Sequence, residues 1–582
     1  MKKILLFLIL PLFVACNEDF LERKPLDKLS EEAVFASAQL MEQYVNAIYN
    51  VIPHPFTEGS LAACTDEAYF RFGGTSCNRI TRGELTANNV LHSDGSDFHT
   101  SRMTFLPIWS RVFPYLRDMN AFLERVDNAD VDENAKNRLK GEVLFLRAWT
   151  YSNLLLRYGG APIIEKAFQL GEPYDLVRNN YDECVTFIIK DLNDAIALLD
   201  DKPATRGRVG ADACRALKAR TYLYAASPLF NDPTDPTGSI FKGQYSRDKW
   251  RLARDAAKEL IDANRYPLAP LFEDHWTNVN SSEVIWAKFF DATTATTSQY
   301  NAQLYYAPQP EGLGGWDSCK PVENMVVEYE MAATGKKPFE AGSGYDPADP
   351  WGGRDPRFYK SIATPESEIM GKTIKICAPA PGNTVITSND LWHNQSIGTE
   401  GTGYWLRKWV IDDAIVSESI NSTLMYPWFR MAEIYLIYAE AALEFNGDVA
   451  ACAEYINKIR DRADVKMPLI PNNLTEDEMR KKLIQERRIE LAFENHRYFD
   501  VRRWKLAPIY EGAMLYGIRG FRSDNNTITW NVAKAGPNGE PDFSDCRAMF
   551  THRNFFPQHY LMPIPSSEVR KSLDLIVQNP HY

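Results

Sequence analysis

Amphipathic segments that recur in pairs are the main pattern of this chain. In six segments, apolar residues return every three or four positions, which is the period of a helix with one face on a core. We therefore predict three helical hairpins, which pair residues 137–156 with 181–199, 212–226 with 249–264, and 428–445 with 449–463. Between the last two segments, Gly447 supplies the left-handed conformation that commonly ends a helix.

The first helices of the three hairpins also resemble one another. Each carries a tyrosine followed by a small residue, four positions after an arginine or isoleucine. The three copies are Arg147 with Tyr151-Ser152, Arg220 with Tyr224-Ala225, and Ile434 with Tyr438-Ala439. An aromatic beside a small residue at a fixed helical phase lets stacked hairpins approach closely, so the pattern indicates a tetratricopeptide-like array.

The region from about 265 to 427 has a different character, because it is rich in Gly, Pro, Thr and aromatic residues. Such a density of Gly and Pro forbids long helices. We predict short strands at 283–290 and 403–410. The expected fold is mainly α: a tetratricopeptide-like helical hairpin scaffold that carries an irregular, loop-rich region with short strands. Loops on a rigid frame are where binding residues commonly lie.

The N-terminus has the pattern of a bacterial lipoprotein. Lys2 and Lys3 precede an apolar run at residues 4–14, which is too short to cross ~30 Å of hydrocarbon. The run therefore indicates a cleaved secretory signal. Cys16 follows the expected cleavage site, where a lipoprotein carries its acyl chains. We predict a lipoprotein signal peptide at 1–15 and lipidation of Cys16; an ordinary secreted protein is the alternative.

The charge balance excludes one class of ligand. The chain has 582 residues, with 65 Lys and Arg against 77 Asp and Glu, and a net charge of −12. Nucleic-acid binding depends on cationic side chains that neutralise phosphates, so no nucleic-acid partner is expected. We divide the chain into a lipidated tether and N-terminal segment (16–40) and a single domain (41–582). Within that domain, we predict a helical scaffold at about 41–264 and 428–505, a ligand-binding region at about 265–427, and a C-terminal segment at 506–582.

Common catalytic and metal motifs are missing from the sequence. No G-x-S-x-G, H-E-x-x-H or C-x-x-C pattern occurs, and we predict no cofactor. The acidic stretch 92–99 offers carboxylates and loop carbonyls to a structural calcium ion, with a solvated turn as the alternative. A disulfide such as Cys64–Cys77 is left open. Glycosidase carboxylates are recognised only by their separation in space, so a surface glycosidase also remains an alternative.

The segment 486–504 is dense in charge, and we interpret it as structural rather than catalytic. Helical spacing pairs Glu494 with Arg497 and Asp500 with Arg503. Three tryptophans in patterned helices or in a predicted strand are expected in the core: Trp149, Trp286 and Trp504.

Several motifs, spread over the whole chain, resemble one known family. They are Asp19-Phe20-Leu21-Glu22 after Cys16, Arg147-Ala148-Trp149, Tyr158-Gly159-Gly160-Ala161-Pro162, Arg354-Asp355-Pro356-Arg357, the run from Glu486 to Glu494, and Gln578-Asn579-Pro580-His581-Tyr582. Together they resemble the SusD/RagB family of lipidated glycan-binding proteins of Bacteroidota. The resemblance implies the SusD-like fold.

The resemblance also implies a function without catalysis. Members of this family bind oligosaccharides at the cell surface and deliver them to a SusC-like TonB-dependent transporter in the outer membrane. The chain is accordingly expected to be anchored in outer-membrane lipid through Cys16 and to face the cell exterior. Because part of the family serves other ligands, the alternative is a peptide-binding or structural lid of a TonB-dependent peptide transporter.

Sugar receptors present aromatic faces to the C–H face of a sugar ring and polar groups to its hydroxyls. Trp316 follows a Gly-Leu-Gly-Gly run, and three tyrosines precede it in a stretch where the family places aromatic platforms. Asp66 and the 79–98 loop correspond to further family binding positions. The candidate sugar contacts are Asp66, Arg82, Phe98, Tyr300, Tyr305, Tyr306 and Trp316, with packing within loops as the alternative for each.

Overall fold

Long helices in antiparallel pairs form the frame of the protein. The structure is a computed structural model that describes residues 31–53, 61–70, 76–90, 108–169, 171–172, 176–200, 204–289, 319–365, 367–369, 371–373, 384–385, 401–410, 425–522, 528–549 and 553–582. The helices are α1 (Glu31–Phe35), α2 (Ala38–Ile48), α3 (Ser76–Arg82), α4 (Trp109–Leu123), α5 (Glu133–Tyr158), α6 (Tyr181–Leu199), α7 (Ala211–Ala226), α8 (Asp248–Ala263), α9 (Asp274–Thr277), α10 (Glu323–Val326), α11 (Pro356–Ser361), α12 (Met431–Asn446), α13 (Val449–Arg460), α14 (Glu476–Glu490), α15 (Arg497–Arg503), α16 (Ala507–Tyr510) and α17 (Ser566–Lys571).

The strands are short and form small antiparallel sheets. They are β1 (Ala68–Phe70), β2 (Val284–Phe289), β3 (Cys319–Pro321), β4 (Ile362–Ala363), β5 (Glu368–Ile369), β6 (Lys372–Thr373), β7 (Thr384–Val385), β8 (Trp405–Leu406), β9 (Met425–Arg430), β10 (Tyr516–Gly517), β11 (Arg519–Arg522), β12 (Ile528–Asn531), β13 (Lys534–Ala535), β14 (Pro541–Asp542) and β15 (Arg547–Ala548). The pairs are β1–β3, β2–β9, β4–β8, β5–β6, β10–β15 and β13–β14, and β11 lies between β7 and β12.

The three predicted hairpins are present as α5–α6, α7–α8 and α12–α13, so the predicted mainly helical fold is confirmed. Local chemistry sets their ends. A capping box between Asn180 and Glu183 begins α6, because each side chain accepts a hydrogen bond from the other residue's backbone N–H. Gly447, with φ of +70°, ends α12 as predicted, and Asp448 then caps α13.

The contact between α5 and α6 shows why small and charged residues recur in these helices. At Gly141, a Cβ atom would lie 2.6 Å from Leu199 Cγ, so only glycine permits this approach. Nearly two turns farther along, the buried Arg147 guanidinium donates to both carboxylate oxygens of Asp191, at 2.7 and 2.8 Å, and to Asn120 Oδ1 at 2.9 Å. A single arginine thereby joins α5 to α6 and to α4.

Aromatic side chains fill the space between α5 and the β2–β9 pair. The ring of Trp149 lies 5.5 Å from Trp286 and 5.1 Å from Trp428, in edge-to-face arrangements. Both Trp149 and Trp286 are buried, as predicted. Trp504 is only partly buried, because its ring lies at the margin of the core, where Nε1 donates to Glu440 Oε1 at 2.8 Å.

A cluster of charged side chains lies inside the protein, where α14 meets β9 and the loop-rich region. We call it the central ion cluster, and each of its members is at most 4% exposed. Its members are Glu283, Glu330, Asp355, Arg357, Lys408, Arg430, Arg460, Arg462, Glu486, Glu490 and Glu494. They belong to segments that are far apart in sequence, so the cluster joins the helical scaffold to the strands.

Arg430, at the end of β9, has the largest share of these contacts. Its guanidinium donates to Glu283 at 2.8 Å, to Glu490 at 2.7 Å, and to both oxygens of Glu494 at 2.7 and 2.9 Å. Burial alone would raise the pKa of Glu490, but the guanidiniums of Arg462 and Arg430 outweigh it and hold that pKa below its usual range. The cluster is therefore stable only as a complete set of opposite charges.

The predicted Glu494–Arg497 pair is wrong, and the backbone explains why. Helix α14 ends at Glu490, and both Phe493 and Asn495 have positive φ angles, +60° and +66°, so helical spacing does not continue through this turn. Glu494 instead contacts Arg430. The predicted pairing within α15 is confirmed, since Arg503 Nε donates to Asp500 Oδ1 at 2.8 Å.

Replacing Arg430 tests the energetic role of the central ion cluster. We expect Arg430→Met to lower the free energy of unfolding by about 3–5 kcal/mol, because it leaves buried carboxylates without their shared cation. Arg251→Met on α8 is the control, since that arginine pairs with the exposed Asp248 and Asp255. The urea-unfolding midpoint of this variant should stay close to that of the wild type. Equal urea-unfolding midpoints for the two variants would contradict the cluster's role.

Candidate functional site

Five of the seven predicted sugar contacts lie outside the described residues: Phe98, Tyr300, Tyr305, Tyr306 and Trp316. The same holds for Cys16 and for the proposed calcium stretch at 92–99. They stay predictions. The structure describes the remaining two, Asp66 and Arg82. It also describes the elements on either side of residues 91–107 and 290–318, to which the other five belong.

Asp66 lies inside the protein and not on its surface. Its carboxylate accepts hydrogen bonds from Arg488 at 2.7 Å and from Arg497 at 2.9 and 3.1 Å. Burial would raise the pKa of Asp66, but the two guanidiniums outweigh it and lower that pKa. A carboxylate held in this way cannot reach a sugar hydroxyl. Asp66 therefore fixes the segment before β1 to α14 and α15, and we exclude it from the proposed sugar contacts.

Glu67, the next residue, has the opposite electrostatic character. Its Oε1 accepts from the backbone N–H of Phe493 at 3.2 Å, whereas the buried Oε2 has no hydrogen-bond partner among the described residues. Burial raises the pKa of Glu67 to about 7. The two adjacent acids thus differ because Arg488 and Arg497 donate hydrogen bonds to Asp66, whereas Glu67 is buried with one carboxylate oxygen unsatisfied among the described residues.

Arg82 is the last residue of α3 and is partly buried. Its backbone carbonyl accepts from Asn554 Nδ2 at 3.2 Å, which ties the end of α3 to the C-terminal segment. The position leaves part of the side chain accessible to solvent. Arg82 therefore remains a candidate contact at the start of the 83–98 segment.

A cavity of about 410 Å³ opens between α4, the 162–176 segment and α17, and we call it the α4 pocket. Its volume lies within the usual range for small-molecule sites. Aromatic side chains form part of its wall and polar groups stand around them: Trp109, Ser110, Phe113, Arg117, Lys166, Phe168, Glu568 and Lys571. Ser110 Oγ is buried and has no hydrogen-bond partner among the described residues. Sequence reasoning missed this pocket, although Trp109 and Phe113 are one helical turn apart.

A second aromatic surface lies in the loop-rich region. The rings of Trp351 and Trp530, both partly buried, have centroids 6.0 Å apart. Trp351 Nε1 donates to the buried Tyr404 hydroxyl at 3.2 Å, and the Trp351 side chain is only partly buried. Tyr359, 46% exposed, donates to the Trp351 carbonyl at 2.7 Å. The sequence identified this stretch as irregular, but gave no signal that these rings would meet.

A wide polar trough of about 1240 Å³ also runs along the start of α6. It is lined mainly by polar and acidic side chains, and one of these, Asp182, is already bound to Lys249 at 2.9 Å. Phe187 is the aromatic residue in its wall, but this ring is buried and covered by Arg147. The trough therefore lacks an accessible aromatic face for a sugar.

Neither a metal centre nor a membrane span is found in the part of the chain that the structure describes. No group of three or more His, Cys, Asp or Glu side chains converges there in a way that could hold a metal ion. No described helix is both long enough and apolar enough to cross a membrane.

Glu67→Gln tests the unusual acid beside Asp66. Because the folded pKa is raised, the stability due to protonated Glu67 is complete below the unfolded pKa near 4.5 and is lost as pH rises through about 7. Glutamine does not titrate, so the free energy of unfolding of the variant, relative to that of the wild type, should rise by about 2.5 kcal/mol between pH 5 and pH 8. Urea unfolding at several pH values measures this gain.

The matched control for this experiment is Asp66→Asn, whose effect should have the opposite sign. The pKa of Asp66 is lowered in the folded protein, so its contribution is present at neutral pH and is lost on acidification. Replacing the Asp66 carboxylate should therefore lower the free energy of unfolding most at neutral pH. A stability difference for Glu67→Gln that does not change with pH would contradict the burial of a raised-pKa carboxyl.

Comparison with known proteins agrees with this architecture. The family described as "SusD family" matches residues 282–582, and the family described as "Starch-binding associating with outer membrane" matches residues 19–223. A SusD-like protein of Formosa agariphila is 23% identical over all of this chain and 99% of its own length. A solved SusD-like protein of Bacteroides fragilis, 23% identical, superposes with a TM-score of 0.75 over 96% of this chain and all of that one.

A second solved structure from Bacteroides fragilis is titled a SusD-like carbohydrate binding protein. It is 19% identical, covers 93% of this chain and 99% of its own, and has a TM-score of 0.71. At such identities, the solved structures establish the fold, and the family match extends over more than half of the sequence. The predicted SusD-like fold is thereby confirmed, and this chain belongs to the SusD family.

Proposed function

We propose that the protein is a cell-surface lipoprotein that binds oligosaccharides and delivers them to a SusC-like TonB-dependent transporter in the outer membrane, without cutting them. The observation that carries the proposal is the match of the SusD family to residues 282–582, on a scaffold that superposes along nearly its whole length with SusD-like proteins. The description of the second matching family, which names starch binding and the outer membrane, supports both the ligand class and the location.

The pairing of β1 with β3 supports a binding site formed by segments distant in sequence. Phe70, at the end of β1, lies opposite Cys319, at the start of β3. The segment that follows β1 and the segment that precedes β3 therefore leave the sheet at the same end. Trp316 is three residues from Cys319, so the chain keeps the two within about 11 Å of each other. Tyr300, Tyr305 and Tyr306 belong to the same 290–318 segment.

The chemistry of such a site explains why binding would be moderate and reversible. Tryptophan and tyrosine faces cover the apolar side of a sugar ring, and a cation such as Arg82 donates to its hydroxyls. Removing those hydroxyls from water costs free energy that offsets much of the binding free energy gained. A large buried surface area therefore does not by itself give tight binding. A receptor that passes its ligand to a transporter needs this property, because a slow release would limit uptake.

The absence of a catalytic step in this proposal agrees with how the buried acids are used. Glu486 and Glu490 accept hydrogen bonds from Arg357 and from other arginines of the central ion cluster. The guanidiniums of Arg462 and Arg430 also hold the pKa of Glu490 below its usual range, and both carboxylates are buried away from solvent. They serve the fold and not general acid–base chemistry.

Replacement of the loop aromatics tests the proposed sugar site. We expect Trp316→Ala and Tyr300→Ala each to weaken oligosaccharide binding several-fold, because each removes one stacking face worth about 0.5–1.5 kcal/mol. Isothermal titration against a panel of oligosaccharides measures the affinity. The melting temperatures should stay close to that of the wild type, and an equal fall in stability would identify the two rings as packing residues.

Phe168→Ala in the α4 pocket is the matched control for this experiment, since it removes an aromatic ring from another cavity. It should leave sugar affinity unchanged. Loss of binding in this variant alone would move the sugar site to the α4 pocket. If no oligosaccharide binds while peptides raise the melting temperature, the protein is a peptide-binding lid, and release of reducing ends from polysaccharides would identify a glycosidase.

Lipidation at Cys16 gives a separate prediction. Cys16→Ser removes the thiol that would carry the lipid, so the protein should move from the outer-membrane fraction to the soluble fraction. Mass spectrometry of the wild-type N-terminal peptide should show a diacylglyceryl group on Cys16. Protease added to intact cells should digest the anchored wild type, since the proposal has it facing outward. An unmodified N-terminus would contradict the anchor.

A further inference from the structure

Two cysteine sulfurs touch in the core, between the segment before β1 and helix α3. Cys64 ends a short 3₁₀ helix, Leu61–Cys64, and Cys77 is the second residue of α3. Their Sγ atoms are 3.2 Å apart, and both side chains are completely buried. A disulfide needs a sulfur–sulfur distance of about 2.05 Å, so closing this gap takes a movement of only about 1 Å.

We infer that Cys64 and Cys77 are joined by a disulfide in the exported protein. The signal peptide predicted at residues 1–15 would direct the chain out of the cytoplasm, into compartments where disulfides form and persist. The other described cysteines lie elsewhere in the fold, apart from Cys319 on β3, which is the nearby third thiol. The four described cysteines that lie elsewhere are Cys184 on α6, Cys214 on α7, Cys452 on α13 and Cys546 before β15.

The bond has to form while the chain is folding. The hydrogen bond with Cys64 and burial raise the pKa of the Cys77 thiol, and both sulfurs are completely buried, so the folded, reduced protein would hold almost no Cys77 thiolate and would expose neither sulfur to an oxidant. A partially folded chain exposes both thiols to an oxidising thiol–disulfide exchange protein. One thiolate attacks the disulfide of that protein, the second then displaces it, and the partner leaves as a dithiol that holds both electrons.

The crosslink would close a loop of the chain that carries both buried acids. The segment between Cys64 and Cys77 contains Asp66, Glu67 and β1, whose partner β3 follows the 290–318 segment. The bond would thereby fix α3, and Arg82 at its end, to the elements that border the proposed sugar site. The inference does not depend on the ligand, since it rests on the contact of the two sulfurs and on export.

Thiol counting after export tests the inference directly. A soluble form that begins after Cys16, secreted through a cleavable signal, contains eight cysteines: 64, 77, 184, 214, 319, 377, 452 and 546. The protein is denatured in guanidinium chloride without reductant, because the buried thiols would not react in the native state. We expect six free thiols and a tryptic fragment in which the Cys64 and Cys77 peptides stay joined until reduction.

Single substitutions identify the partners. Cys64→Ala and Cys77→Ala should each raise the count of free thiols from six to seven, since each removes one cysteine and frees the other. Cys319→Ala and Cys184→Ala should each lower it to five. Eight free thiols in the exported wild type would overturn the inference. A count that rises for Cys319→Ala would also overturn it, because Cys319 would then be a bonded partner.

Discussion

The buried charges of the central ion cluster hold the helical scaffold and the strands together. Eleven charged side chains from the loop-rich region, β9, α13, α14 and the turns after these two helices lie in a core where each charge is costly without a partner. Arg430 alone is bound to Glu283, Glu490 and Glu494, which come from three different segments. Such a cluster adds little stability compared with an apolar core, but it is satisfied in only one arrangement. It therefore fixes how β9 and the following helices meet.

This arrangement links the rigid scaffold to the segments proposed to bind sugar. Arg488 and Arg497 extend the same charged region outward to Asp66, which holds the segment before β1 in place. Because β1 pairs with β3, the position of Asp66 also sets where the 290–318 segment ends. Asp66, which the sequence offers as a sugar contact, thus has a structural role: it fixes the backbone from which the proposed binding segment departs.

The sequence predicted those features that depend on local periodicity. The three hairpins are predictable because their apolar residues repeat at the helical period. The end of α12 is predictable because Gly447 readily adopts the left-handed conformation found there. Pairings across the fold could not be found in this way. Glu494 and Arg497 have helical spacing, but two residues with positive φ turn the chain between α14 and α15 and separate them. The partners of Asp66 are more than 400 residues away in sequence.

The same difference between local and distant signals explains why the aromatic surfaces were missed or only partly identified. Trp351 and Trp530 meet through a fold in which β11 lies between β7 and β12, and no periodicity relates them. Trp316 is predicted from the glycine-rich run and the tyrosines before it, and it stays a prediction because it lies outside the described residues. A sugar-binding surface assembled from separate loops leaves little trace in any one of them. The helical scaffold instead sets the points at which those loops begin and end, and these points depend on contacts such as the pairing of β1 with β3.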